Sequence, residues 1–170
     1  LISIGKQTIL ERQISIVESV FPNSKFVIVT GFEADKVISN CPRKFVKIEN
    51  ELYEDTNVSR SVAMALNAVS TERVLIFMGD LVFNTEAIST LDFEKTCVSA
   101  NIDDSRTSEV GCIVSPDKTV SNMMYDLELK WNQIIYLQSK ELDIFKALCT
   151  KRRNRKLFLF EIINKVIDKG

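Results

Sequence analysis

Apolar residues recur along the first half of the chain with two alternating periods. Ile9, Leu10, Gln13, Ile14, Val17 and Phe21 keep helical spacing and predict a helix over Thr8–Phe21, stopped by Pro22-Asn23. "KFVIVTGF" (Lys25–Phe32) predicts a buried strand ending at Gly31. A short helix over Glu33–Ser39 follows, with Pro42 in the next loop, then the strand "KFVKIEN" (Lys44–Asn50). Arg60–Val69 is alanine-rich and helical, with Ser59 or Ser61 as candidate caps. "RVLIFMGD" (Arg73–Asp80) is a third buried strand, and a helix of about two turns is expected from Thr85. Strands alternating with helices over short connections signal βαβ units and a mainly parallel sheet covered by helices.

The second half changes rhythm. "KTCVSANI", "EVGCIVS", "KTVSNMMY" and "NQIIYLQS" are four strand-like runs, with Pro116-Asp117 as a hairpin turn between the second and third. They predict an antiparallel edge on the parallel core. Lys140–Leu148 and Lys156–Lys169 are amphipathic, and the basic run "KRRNRK" (Lys151–Lys156) joins them. The expectation is a single α/β domain over residues 1–170 with a mixed, mainly parallel central sheet.

Composition narrows the chemistry. The net charge of -1 gives no global field for nucleic acid or a membrane surface. No apolar run reaches the ~18 residues of a spanning helix, and no N-terminal stretch has signal-peptide form, so a cytoplasmic protein is expected. Cys41, Cys97, Cys112 and Cys149 match no zinc spacing and are expected as reduced core thiols. Histidine is absent, which excludes Ser-His-Asp and Cys-His machinery and histidine metal sites. Chemistry is left to carboxylates, lysines, arginines, backbone amides and a hard metal ion.

Asp80 is the first candidate. Gly-Asp at the C-terminal end of a buried strand offers a carboxylate on a rigid support, where ligands of open α/β sheets bind. Magnesium takes hard oxygen ligands, usually only one or two of them from protein. A plain turn aspartate is the competing reading, since Gly and Asp both favour turns. Upstream, Asn50, Tyr53, Thr56, Asn57 and Ser61 cluster before the alanine-rich helix, where amides and polar side chains can hold an anion or a base edge. Capping explains one serine but not the whole cluster. Trp131 with Tyr125 and Tyr136 could box a quaternary ammonium or simply pack in strands. The basic run could contact phosphate or be a solvated loop.

"LISIGKQTILERQI", "FVIVTGF", "ENELYEDTNVSRSV", "VLIFMGDLVF", "KWNQIIYL" and "FLFEIINKVIDKG" follow in an order that resembles the NTP-transferase family of the GT-A-like fold, over nearly the whole chain. That family comprises sugar-phosphate nucleotidyltransferases and phosphocholine cytidylyltransferases. The resemblance implies a Rossmann-like three-layer α/β/α fold of the nucleotide-diphospho-sugar transferase type. It implies that a phosphomonoester, sugar phosphate or phosphocholine-like, attacks the α-phosphorus of a nucleoside triphosphate, with CTP favoured, and that pyrophosphate leaves. It implies Mg2+ bound by Asp80, nucleotide contacts from Asn57 and Ser61, a catalytic Lys130 that meets substrate or phosphate charge, and Glu161 and Asn164 facing the acceptor or the metal, with a solvated helix face as the competing reading; Trp131 is the aromatic candidate for the acceptor. Neither a membrane nor a nucleic-acid partner is expected.

The family pattern also includes a first strand, a GxGxR phosphate loop and a lysine, and Leu1 aligns just after that lysine. A late acidic segment of the family has no counterpart before Gly170. The expectation is a domain truncated at both ends, with unpaired strand edges that favour a homo-oligomer or partner chain. A degenerate, non-catalytic member with a binding or structural role is the alternative.

Overall fold

The computed structural model describes residues 2–102 and 108–170; Leu1, the alignment point above, lies outside them. A two-residue hairpin, β1 (Ser3–Ile4) and β2 (Gln7–Thr8), leads into α1 (Ile9–Val20). Thr8 caps α1: its hydroxyl accepts the Glu11 N–H (3.1 Å), and Glu11 returns a carboxylate to the Thr8 N–H (2.7 Å). These bonds hold the Glu11 carboxyl below its ordinary pKa.

β3 (Val27–Thr30) and β4 (Val46–Glu49) form a parallel ladder joined through α2 (Ala34–Ser39). The predicted strands and helices of this half all form. α3 (Val58–Ala68) starts two residues before the predicted helix, because Asn57, not Ser59 or Ser61, occupies the cap. β5 (Arg73–Phe77) follows, and α4 (Glu86–Ser89) is shorter than predicted.

The remaining strands are β6 (Cys97–Ile102), β7 (Val110–Val114), β8 (Val120–Tyr125) and β9 (Leu129–Gln138). β9 is the spine of the five-stranded sheet. Its Ile135 and Tyr136 pair with Ile76 and Leu75 of β5 and with Val98 and Cys97 of β6, so β5 and β6 flank it on opposite edges. β7 touches β9 at Gly111↔Lys130, further along the β5 edge, and β8 pairs outside β7. A Cβ at Gly111 would stand 2.5 Å from the Leu129 carbonyl oxygen, so only glycine permits this approach.

The expectation of a mainly parallel sheet is corrected here. Among the described residues the one parallel ladder is β3–β4; every ladder of the five-stranded sheet is antiparallel. The physical reason is β9, a ten-residue strand that inserts between β5 and β6 and opposes both. Among the described residues the β3–β4 ladder is not hydrogen-bonded to this sheet. α3 bridges the two by packing on β3 and β4 and on α5 (Ser139–Cys149).

Trp131, Ile135 and Leu137 of β9 join the main core with α3, α5 and α6 (Leu159–Ile167). Phe145 and Ile162 are its fully buried centre. Ile134 and Tyr136 belong to the other face by strand alternation. There Tyr136 meets Phe93 edge-on, and Phe93 meets Phe21 after α1. No helix of the described residues is long and apolar enough to cross a membrane.

The four cysteines are free thiols, with Cys41, Cys112 and Cys149 buried and Cys97 half-buried. Burial pushes Cys112 up to about 11 and Cys149 up to about 12, so both stay protonated and unreactive at neutral pH. A thiol reagent at pH 8 is expected to reach Cys97 first in the native protein and all four cysteines only in denaturant. Rapid labelling of Cys149 without denaturant would contradict this packing.

Candidate functional site

β5 ends at Phe77, and the next four residues form a turn in which the Leu81 N–H donates to the Met78 carbonyl (3.3 Å). Gly79 and Asp80 are its two central residues. The turn reading and the ligand reading of Asp80 are therefore compatible. Asp80 is exposed, and its carboxylate makes no hydrogen bond or ion pair among the described residues. Nothing lies within 4 Å of a Cβ placed at Gly79, which leaves open space beside the backbone. Gln13, from α1, donates through Nε2 to the carbonyls of Met78 (2.9 Å) and Leu81 (2.7 Å) on either side of this pair.

The segment before α3 is held by internal hydrogen bonds. Asn50 is 3% exposed and donates from Nδ2 to Thr56 Oγ1 (3.1 Å) and Ser61 Oγ (3.2 Å), while its Oδ1 accepts the Leu52 N–H (3.3 Å). Asn57 accepts the Val58 N–H at Oδ1 (2.7 Å). Ser59 is fully buried and donates to the Asn154 carbonyl (2.8 Å). Thus much of the polar cluster that capping alone did not explain builds the loop itself. Gly31 meets the same loop: a Cβ there would stand 2.6 Å from the Tyr53 Cβ.

The basic run docks on this site. Arg152–Asn154 is a 3-10 turn; besides the Ser59 bond, the Asn57 N–H donates to the Arg155 carbonyl (2.9 Å). Arg152, Arg153 and Lys156 are exposed and form no ion pair among the described residues. The backbone of the run is therefore fixed at the head of α3 rather than in a remote loop.

A cavity of about 240 Å3 opens where β9 forks between β5 and β7. Gln133 sits at this fork with φ 58°, between the residues that pair with β5 and Lys130, which pairs with β7. Val58, Met78, Tyr125, Trp131, Gln133, Phe158 and Phe160 line the cavity with Glu109 at its side. It thus adjoins both the head of α3 and the turn bearing Asp80. The Trp131 indole N–H donates to the Ile134 carbonyl (3.1 Å) across the fork, which holds the ring in place.

Of the expected site residues Trp131 lines the cavity; Asn57 directly precedes the lining residue Val58, Asp80 lies two residues beyond the lining residue Met78, and Ser61 is bonded to Asn50 in the first turns of α3. Trp131 and Tyr125 share the cavity wall, while Tyr136 lies against Phe93 elsewhere. Phe158 and Phe160 complete the wall; an apolar pair at a helix start gave no sequence signal for this. Lys130 is 4% exposed within β9 and is not among the residues lining the cavity. Glu161 and Asn164 are not there either. Glu161 accepts the Phe158 N–H (2.8 Å) and caps α6. Asn164 clasps Met123 of β8, accepting its N–H and donating to its carbonyl, both at 2.8 Å. The resemblance implies that both face the acceptor or the metal; the polar atoms seen bonded in them seat α6.

The donor set bears on the metal. No group of three or more His, Cys, Asp or Glu side chains converges among the described residues. A lone free carboxylate fits a magnesium ion whose other ligands are nucleotide phosphates and water, not an all-protein metal site.

No family model matches the sequence, and no curated protein sequence matches it. Solved structures do. The CTP:phosphocholine cytidylyltransferase of Streptococcus pneumoniae is similar over 100% of this chain and 76% of its own, with TM-score 0.73 and 12% identity. The inositol-1-phosphate CTP transferase of T. maritima is similar over 99% and 72%, with TM-score 0.75 and 13% identity. A UDP-glucose pyrophosphorylase complexed with UDP-glucose is similar over 99% and 78%, with TM-score 0.71 and 7% identity. The chain therefore has the NTP-transferase-like fold.

Proposed function

We propose that this chain is a magnesium-dependent nucleotidyltransferase domain. An oxygen of a phosphomonoester acceptor attacks the α-phosphorus of a nucleoside triphosphate, a new phosphoanhydride forms, and the bond to the departing pyrophosphate breaks. The observation that carries this reading is Asp80. It is an unpartnered carboxylate on a turn clamped at the C-terminal end of β5, in the fold that nucleotidyltransferases share.

Such a reaction needs alignment and charge neutralisation more than a protein nucleophile, which suits a chain without histidine. Magnesium, when bound with the nucleotide, neutralises the phosphate charge. Asp80 holds it from the protein side. Asn57 and Ser61 face the nucleotide at the head of α3, and the docked basic turn adds positive charge beside them. The aromatic cavity around Trp131 takes the acceptor's head, a sugar or a phosphocholine-like cation. Lys130 is left out of the reacting set because its side chain is enclosed in the sheet.

The test supplies the protein with Mg2+, each nucleoside triphosphate in turn (CTP first) and a panel of sugar phosphates and phosphocholine, and measures pyrophosphate. Release is expected with one nucleotide–acceptor pair, and chelation by EDTA should stop it. Nucleotide binding with no release from any pair would favour the non-catalytic alternative.

A further inference from the structure

Gln13 is a polar residue on the apolar face of α1, 2% exposed, and it reaches across 65 residues of sequence to the Asp80 turn. Its amide nitrogen bonds both carbonyls that bracket Gly79–Asp80, Met78 at 2.9 Å and Leu81 at 2.7 Å. The turn's own closing bond, Leu81 N–H to Met78, is longer at 3.3 Å, the weaker end of the hydrogen-bond range. Neither Gly79, with open space around it, nor the unpartnered Asp80 side chain pins the turn from within. The Gln13 amide supplies the missing cross-link.

A methionine of similar length would fill the same space but give neither carbonyl a donor, so what the glutamine adds at this position is its two bonds to the turn. A buried residue whose polar reach is directed to one turn is suited to holding geometry. A metal ligand in particular must be held to within about 0.5 Å by groups behind it.

We infer that Gln13 is the positioning residue for Asp80, fastening the turn from α1 so that the carboxylate is preset for the metal–nucleotide complex. The inference rests on the proposed nucleotidyltransferase reading. Gln13 itself touches neither metal nor nucleotide.

The test compares the wild type with Gln13→Met in two measurements. The first is amide 15N relaxation of Gly79 and Asp80 without ligand. In the wild type the order parameters should be near the rigid value of about 0.85, and in Gln13→Met they should fall below about 0.6. The second is the Mg2+ concentration for half-maximal nucleotide binding, which should rise about tenfold in Gln13→Met, the low end of the loss seen when a group that orients a metal ligand is removed. A folded Gln13→Met with a rigid turn, or with unchanged Mg2+ dependence, overturns the inference. A loosened turn in a protein whose wild type shows no Mg2+-dependent nucleotide binding instead fails the functional reading, and the metal role falls with it. Should Gln13→Met not fold, exchange of the Gln13 side-chain amide hydrogens decides in the wild type. Protection of at least tenfold over an exposed glutamine supports the clamp, and free exchange overturns it.

Discussion

Asp80→Asn is expected to lower pyrophosphate release by about 100-fold or more, the scale seen when one preorganised electrostatic contact to a reacting group is lost. The substitution keeps the size of the side chain and removes its charge. The exposed carboxylate makes no hydrogen bond or ion pair among the described residues, so folding stability should change by no more than about 0.5 kcal/mol. Loss of activity with an unchanged thermal midpoint would place the defect in metal and nucleotide handling. The two quantities are read side by side, by a pyrophosphate assay and a thermal melt. Activity within a few-fold of wild type would remove Asp80 from the site and with it the main support for the proposed reaction.

Asn164→Ala should have the opposite profile. Asn164 joins α6 to β8 through both backbone polar groups of Met123, a residue 1% exposed. Truncation removes this clasp, and each buried polar group left unpaired costs about 1–3 kcal/mol. A net destabilisation of about 2–4 kcal/mol is expected because the Met123 N–H also meets Asn122 Oδ1 (2.8 Å), which retains part of the bonding. For a chain of this size that corresponds to a midpoint lowered by roughly 5–15 °C. Denaturant titration gives the first figure and calorimetry the second. Below its lowered midpoint, the variant should retain the wild-type KM for its acceptor, since Asn164 is occupied with the backbone. A raised KM without destabilisation would return Asn164 to the acceptor-binding role that the sequence resemblance implied.

These two residues illustrate what local sequence could and could not convey. Asp80 was legible because its signal is local: an apolar strand, then glycine and a carboxylate, within ten residues. Asn164 and Glu161 carried the same kind of polar signal on an amphipathic helix, but their meaning depended on what the helix packs against. Asn164 meets a strand 41 residues away, and Glu161 turns back to cap its own helix. Spacing along a helix cannot distinguish a ligand contact from such a clasp. The cavity shows the same limit. Trp131 and Tyr125 were legible as paired aromatics, but Phe158 and Phe160 join them only because α6 begins beside the fork. Gln13 did leave a trace, an amide in an otherwise apolar helical stripe, but its target could not be read from it.

By itself the sequence determined most elements of this protein: where the longer strands and helices form, which faces are apolar, that histidine chemistry is excluded, and that Gly79-Asp80 follows an apolar strand. Periodicity and turn residues act within a few positions, so these features survive without knowledge of the rest of the chain. Tertiary structure decided the pairing. β9 took the place between β5 and β6 and made that sheet antiparallel. Gln13 reached the Asp80 turn, Asn154 and Arg155 docked the basic run on α3, and the fork in β9 opened a cavity beside them. Each of these joins residues tens of positions apart. Such contacts are chosen by the burial and hydrogen bonding of the whole molecule, not by the preference of any one segment.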